Sequence, residues 1–197
     1  MNVRRRFETE IQGEKISIET IEGLFSPEHI DYGTRAMLSI AEFEKGMRVM
    51  DLGCGCGVVG ILAAKKCGEE NVVMADIDPR AVEIARKNAQ ANGVGGVQCV
   101  VSVNAAGFDL ILSNPPYQTD FAVAKKFIEK GFNRLKVGGR MMMVTKRLDW
   151  YRNKLRAIFG GVRVFPIDGY FVFDADNVAH PDFLKEMNNA YCAGARA

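Results

Sequence analysis

The chain has 197 residues, 48% of them hydrophobic, and 26 Lys and Arg nearly balance 24 Asp and Glu. One domain of this size can bury about 70% of its unfolded surface, and a pI of 8.3 excludes the globally basic profile, above about 9, of many nucleic-acid binders. Five cysteines, an odd number with two in a glycine-rich turn, exclude a disulfide framework.

The Cys54-Gly-Cys56 pair lacks the spacing of zinc knuckles or redox motifs. It reads as small residues filling tight positions in a reducing compartment, with no metal expected. No apolar run approaches the roughly 20 residues of a membrane span. Met1 to Arg6 is basic, but no apolar signal core follows. A cytoplasmic location without membrane partners is the expectation.

In chain order, Arg4 to Ile11 and Lys15 to Ile21 read as two strands joined at Gln12-Gly13, with clear alternation at Ile16, Ile18 and Thr20. This hairpin, in an extension over residues 1–24, is expected to cover one edge of the main domain. Arg4-Arg5-Arg6 is a candidate phosphate contact, and reads first as a solvated edge that discourages strand pairing. Thr34 to Phe43 reads as a helix with Ala36, Met37, Ile40 and Ala41 on one side. His29 and His180 lie far apart and lack metal-ligand spacing, so local bonding or solvent exposure is expected of both.

A regular alternation follows. Strands are expected at Met47–Leu52, Asn71–Ala75, Val97–Val101, Phe108–Ser113 and Arg140–Thr145. Helices fall between them at Val58–Lys66, Pro79–Ala91 and Phe121–Leu135, with another at Trp150–Phe159. Pro79 suits a first helical turn, and Asn92-Gly93 stops that helix. Near-continuous apolar strands imply burial on both faces, hence a parallel sheet. Strand–helix alternation implies a doubly wound α/β fold. Val162–Ile167 and Tyr170–Phe173 flank Asp168-Gly169, a two-residue turn that makes the closing pair an antiparallel hairpin. This main domain spans 25–176. The tail, 177–197, is polar, with a short helix expected at Pro181–Met187.

Three stretches carry chemistry. In Ser113-Asn114-Pro115-Pro116-Tyr117 a buried strand stops at a polar residue, two prolines and an aromatic. Prolines fix φ and donate no hydrogen bond, so a stiff loop holds one amide side chain, bare carbonyls and one ring. That arrangement suits a planar, amine-bearing group; the plainer reading is a proline turn capping a strand. In Asp51-Leu52-Gly53-Cys54-Gly55-Cys56-Gly57, glycines let the backbone approach a ligand at a helix N-terminus. Gly57 and Gly60 let the helix pack close to the strand, and Gly55-x-Gly57-x-x-Gly60 also satisfies the dinucleotide fingerprint. Asp51 argues against a dinucleotide: a carboxylate there repels pyrophosphate and welcomes an ammonium. Asp76, at the end of the next strand, can accept hydrogen bonds from both ribose hydroxyls. Asp78 is the rival, and more naturally caps the helix starting at Pro79.

Taken with Phe25-Ser26-Pro27…Asp31-Tyr32-Gly33-Thr34 and Ala75-Asp76-Ile77-Asp78, these pieces resemble class I S-adenosylmethionine-dependent methyltransferases. More narrowly they resemble the methyltransferase small domain of ribosomal RNA guanine-N2 methyltransferases and stand-alone relatives, over residues 4 to 174. The resemblance implies a Rossmann-like seven-stranded sheet and S-adenosyl-L-methionine as cofactor. Gly53, Cys54, Gly55 and Gly57 would lie under the cofactor, Asp51 would meet its amino group, and Asp76 with Ile77 would hold the ribose side. The segment Asp31 to Arg35, with Gly33 and Thr34, would close over the methionine end. Asn114 and the Pro115 carbonyl would accept from an exocyclic amine while Tyr117 stacks on its ring, a contact worth about 1–3 kcal/mol for a base.

The chain departs from the family where Val101-Ser102-Val103-Asn104 runs through Ala105-Ala106-Gly107 straight into the next strand. The usual acidic residue near the adenine is missing, and Asn104 is its candidate replacement. The implied function is methylation of an exocyclic amine of a nucleic-acid base, foremost guanine N2 of ribosomal RNA, with RNA as partner. Lys125, Lys126, Lys130, Arg134, Lys146, Arg147, Arg152, Lys154 and Arg156 are candidates to grip its backbone. Alternative acceptors are protein glutamine and adenine N6 of RNA or DNA. A non-catalytic module with this fold and an NAD-dependent oxidoreductase are the readings from other classes.

Overall fold

The computed structural model describes residues 4–21, 29–116 and 121–178. Strands β1 (Arg4–Ile11) and β2 (Glu14–Ile21) pair antiparallel. Helix α1 (Tyr32–Ile40) follows, and then the alternation: β3 (Val49–Leu52), α2 (Val58–Cys67), β4 (Val72–Ala75), α3 (Pro79–Ala91), β5 (Gln98–Val100) and β6 (Phe108–Ser113). The chain continues through α4 (Phe121–Phe132), β7 (Leu135–Thr145), α5 (Leu148–Phe159), β8 (Arg163–Ile167) and β9 (Tyr170–Asp176).

The seven-stranded sheet has the order β5-β4-β3-β6-β7-β9-β8. Only β9 runs against its neighbours, pairing antiparallel with both β7 and β8. The chain steps outward from β3 to β5, then returns to lay β6 beside β3. Strand order reverses there, so the carboxyl ends of β3 and β6 open a crevice. Every residue of β3 and β4 is buried, Asp51 included, as two-sided cover by helices requires. One core cluster joins α1, α2 and α3 to the sheet; the other, with Phe108, Ile111, Ile128, Leu155 and Phe159, lies under α4 and α5.

The hairpin does not line a sheet edge, because β1 and β2 form a separate sheet that lies on helices. The reason is legible in α2, where Val58 to Ala64 are all buried. A helix apolar all round needs cover on both sides. The large sheet covers one side, and Ile11, Ile16 and Ile18 of the hairpin join the same core on the other. Side chains of α3 and its C-cap fasten it: Asn92, the C-cap, exchanges bonds of 2.9 and 2.7 Å with the Ser17 backbone, and Asn88 exchanges 2.9 and 2.8 Å with Glu19. Gln12, at the hairpin tip, donates to the Leu38 and Ala41 carbonyls at 2.8 and 2.7 Å, satisfying orphan acceptors at the end of α1.

Other boundaries moved for tertiary reasons. Helix α4 stops at Phe132 rather than Leu135, because buried Leu135 pairs with Phe108 and starts β7 early. A register shift then carries β7 past Gly138 and Gly139 into its long pairing with β6. A Cβ on Gly139 would sit 2.7 Å from the Phe108 carbonyl oxygen, which is why that kink is made of glycine. The closing hairpin turns at Asp168 (φ 49°) and Gly169 (φ 78°), the doubly positive geometry of a two-residue turn. The Pro181–Met187 helix and His180 lie outside the described residues.

Candidate active site

A cavity of about 620 Å³ opens at the crevice between β3 and β6. Asp31, Thr34, Asp51, Gly53, Cys54, Gly55, Asp76, Ile77 and Asn114 line it, together with Phe7 from the hairpin and Phe127, Lys126 and Lys130 from α4. Each acidic group is held by backbone donors. Gly60 N–H donates to Asp51 Oδ2 at 2.9 Å. Asp51 thereby serves an orphan donor in the first turn of α2, whose N-cap, Gly57, has no side chain to do so. A Cβ on Gly60 would fall 2.2 Å from Met74 Cγ, so glycine is required for this approach of helix to strand.

Burial pushes the Asp51 carboxyl up to about 7, against the Gly60 hydrogen bond, with the neighbouring Asp76 charge pushing the same way as burial. Asp76 Oδ2 accepts from Gly55 N–H at 2.9 Å and Oδ1 from Asp78 N–H at 3.0 Å. The carboxylate is locked at the strand end with lone pairs to spare. Asp78 accepts from Arg80 N–H at 2.9 Å and caps α3, and its ion pair with Arg80 lowers its pKa. The glycine turn itself hangs on β4: Gly53 and Cys54 N–H donate to the Ala75 carbonyl at 2.8 and 3.0 Å. A Cβ on Gly55 would meet nothing within 4 Å, so the turn presents bare backbone to the cavity.

The most informative side chain is Asn114. Ser113 Oγ donates to the Leu52 carbonyl at 2.7 Å and ties the ends of β6 and β3 together. Beyond it, Asn114 Nδ2 donates to Asp31 Oδ1 at 2.7 Å and Thr34 Oγ1 at 2.9 Å. Asp31 is also the N-cap of α1, accepting from Thr34 N–H at 2.9 Å. Asp31 Oδ1 accepts from both the Thr34 N–H and the Asn114 amide, so the amide nitrogen faces Asp31 and the amide oxygen faces away. That oxygen, Asn114 Oδ1, is buried and has no partner among the described residues. A lone buried acceptor is costly, on the order of 1–3 kcal/mol, unless a ligand supplies the hydrogen.

The structure therefore gathers most of the residues that the sequence pointed to. Gly33 and Gly57 are buried behind the cavity wall rather than on it, Gly33 against the Tyr170 ring and Gly57 against Met74 and Ala85. Pro115 is buried, while Pro116 reaches the cavity. Asn104 is exposed and does not line the cavity. Tyr117 and Phe25 to Pro27 lie outside the described residues. Cys54 and Cys56 are free thiols, which burial pushes well above the ordinary range and, for Cys56, to about 12. Sequence reasoning missed Phe7 and Phe127. Phe127 stands where a Gly53 Cβ would come within 2.8 Å, a contact between segments 74 residues apart that no local pattern announces.

A family model, the methyltransferase small domain, matches residues 15–174. The chain belongs to that family. Methyltransferase small domains with similar sequences include the ribosomal RNA small subunit methyltransferase C of Serratia proteamaculans, 32% identical over 87% of this chain. The Haemophilus influenzae (strain PittGG) enzyme of the same name is 33% identical over 80% of this chain. The chain spans about half the length of the curated relatives it matches, 52% and 50% respectively. Among solved structures, the T. thermophilus 16S rRNA guanine-N2 methyltransferase RsmC, in complex with AdoMet and guanosine, superimposes with a TM-score of 0.78 at 26% identity, covering 88% of this chain and 50% of that one. TrmN from Thermus thermophilus has a TM-score of 0.58 at 27% identity, over 72% of this chain and 47% of that one.

Proposed function

We propose that this methyltransferase small domain transfers a methyl group from S-adenosylmethionine to an exocyclic amine of an RNA base, foremost guanine N2 of ribosomal RNA. The observation that carries this reading is the Asn114 carboxamide, nitrogen locked on Asp31 and Thr34 and oxygen left unpaired. An exocyclic amine supplies the hydrogen that this oxygen lacks.

The cavity suits the cofactor. The ammonium of its amino-acid end finds carboxylates at Asp31 and Asp51, its ribose finds the fixed Asp76, and Gly53 to Gly55 offer backbone at close range. When bound, S-adenosylmethionine supplies an electrophilic methyl on a sulfonium. The residues of the chain do the rest. Accepting the amine hydrogens at Asn114 Oδ1 and the Pro115 carbonyl pulls the nitrogen out of conjugation and turns its lone pair toward the methyl. The same acceptors stabilise the positive charge that grows on nitrogen, which is positional and electrostatic catalysis. Tyr117 is assigned to stack on the ring. A strong base is unnecessary, because the proton leaves an already cationic nitrogen to solvent.

Transfer of tritiated methyl to small-subunit ribosomal RNA tests the reading. At saturating S-adenosylmethionine, Asn114→Ala should lower the rate about 100- to 1,000-fold, the usual effect of losing one electrostatic contact to developing charge. Undiminished transfer by that variant would sink the role of Asn114. Transfer to adenine or to a protein glutamine, with none to guanine, would replace the acceptor.

A further inference from the structure

We propose that Phe121, Trp150 and Arg147 form a ledge that stacks an unpaired nucleotide next to the target base; this rests on RNA being the substrate. Phe121 opens α4, seven residues after Asn114. Arg147 and Trp150 lie at the start of α5, after β7, whose Met143 pairs with Ser113. All three thus stand at the same carboxyl edge of the sheet as the cavity. The Phe121 and Trp150 rings stack at 4.6 Å with planes 23° apart, and the Arg147 guanidinium lies 5.0 Å from the Phe121 centroid. Phe121 remains 37% exposed.

Trp150 packs in part against the core beneath α4 and α5, whereas Phe121 stands outside that core. Packing of α4 on α5 is made deeper in, where Phe132 meets buried Phe159 edge to face at 5.0 Å. Charge separates the two regions. On these same helices Lys125 and Lys154 pair with Glu129, and Arg152 pairs with Asp149. Lys126 and Lys130, which line the cavity, and Lys146 and Arg147, between β7 and α5, have no carboxylate partner among the described residues. Cations left unpaired beside an open aromatic stack complement a strand that offers phosphates and base faces together. Paired bases hide their faces, so the ledge selects unpaired RNA.

Trp150 is the only tryptophan, so its fluorescence reports the ledge. Titration with a short unpaired oligoribonucleotide should quench it, and a blunt RNA duplex of equal length should not. Phe121→Leu, which keeps an apolar group at the position, and Arg147→Ala, on the surface, should each weaken binding of the unpaired strand about 5- to 150-fold, the range for one lost base stack. Arg147→Ala should also lower the slope of log affinity against log salt by about one. Lys45→Ala, an exposed cation at the opposite edge of the sheet, should change neither. Equal quenching by duplex, or unchanged affinity in both folded variants, overturns the ledge. The titration needs no methyl donor. Quenching without methyl transfer would leave the ledge standing and remove the reaction, while transfer without quenching would do the reverse.

Discussion

Asp51 is the residue at which fold and ligand chemistry meet. It serves the first turn of α2 through Gly60 and lines the cavity, and burial lifts its carboxyl to about 7. An unfolded Asp titrates near ~3.9, so the folded state holds an extra proton between about pH 4 and 7. Its contribution to stability is therefore fully present below the unfolded pKa and is lost as pH rises through about 7. Melting of the ligand-free protein should show this decline, and Asp51→Asn should flatten it. A cation bound beside Asp51 favours the ionised form and reverses the sign for the ligand. S-adenosylmethionine affinity should rise with pH by up to about tenfold per unit toward pH 7 and level off above it. Calorimetry in buffers of different ionisation enthalpy measures the proton released; a pH-independent affinity that releases no proton would refute the coupling. The sequence placed Asp51 before the glycine turn, but its raised pKa needs the two layers of helices that bury β3.

At the scale of elements, the hairpin is the part that local patterns located least well. Its strands and the Gln12-Gly13 turn were readable from alternation and turn chemistry. Its docking site was not, because the asparagines that fasten it lie about 70 residues away on α3 and at its C-cap. Asn88 bonds the Glu19 backbone in both directions and also donates to the Cys56 carbonyl at 2.9 Å. Asn88→Ala strands those groups, and should cost about 1–3 kcal/mol in denaturant unfolding. Hydrogen exchange should then show the Glu19 amide losing protection while β3 and β6 keep theirs. Protection unchanged at Glu19 would mean that apolar contacts alone hold the hairpin.

The whole molecule is a scaffold that brings four separate segments to one crevice. Asp31 begins α1, Asp51 lies in β3, Asp76 follows β4 and Asn114 follows β6. A ligand that touches all four binds only the folded chain. S-adenosylmethionine at a hundredfold excess over its dissociation constant should add about 2.7 kcal/mol. For a domain of this size that is a rise in melting temperature of about 5–10 °C, measurable by scanning calorimetry. No shift at saturating concentration would exclude it as the ligand.

The alternation of apolar strands and helices, the glycine turn, the acids at strand ends and the Asn-Pro-Pro loop are all local signals, and the sequence alone determined them. They set the doubly wound fold and named the carboxylates, the glycine turn and the amide of the cavity. Which amide atom of Asn114 faces a ligand, why α2 is apolar on every side, and where Phe7 and Phe127 stand were decided only by tertiary structure. Each depends on a partner distant along the chain: Asp31 across 83 residues for Asn114, and the hairpin for α2. A sequence shows a side chain's chemistry, but only the folded chain shows which of its atoms are already satisfied.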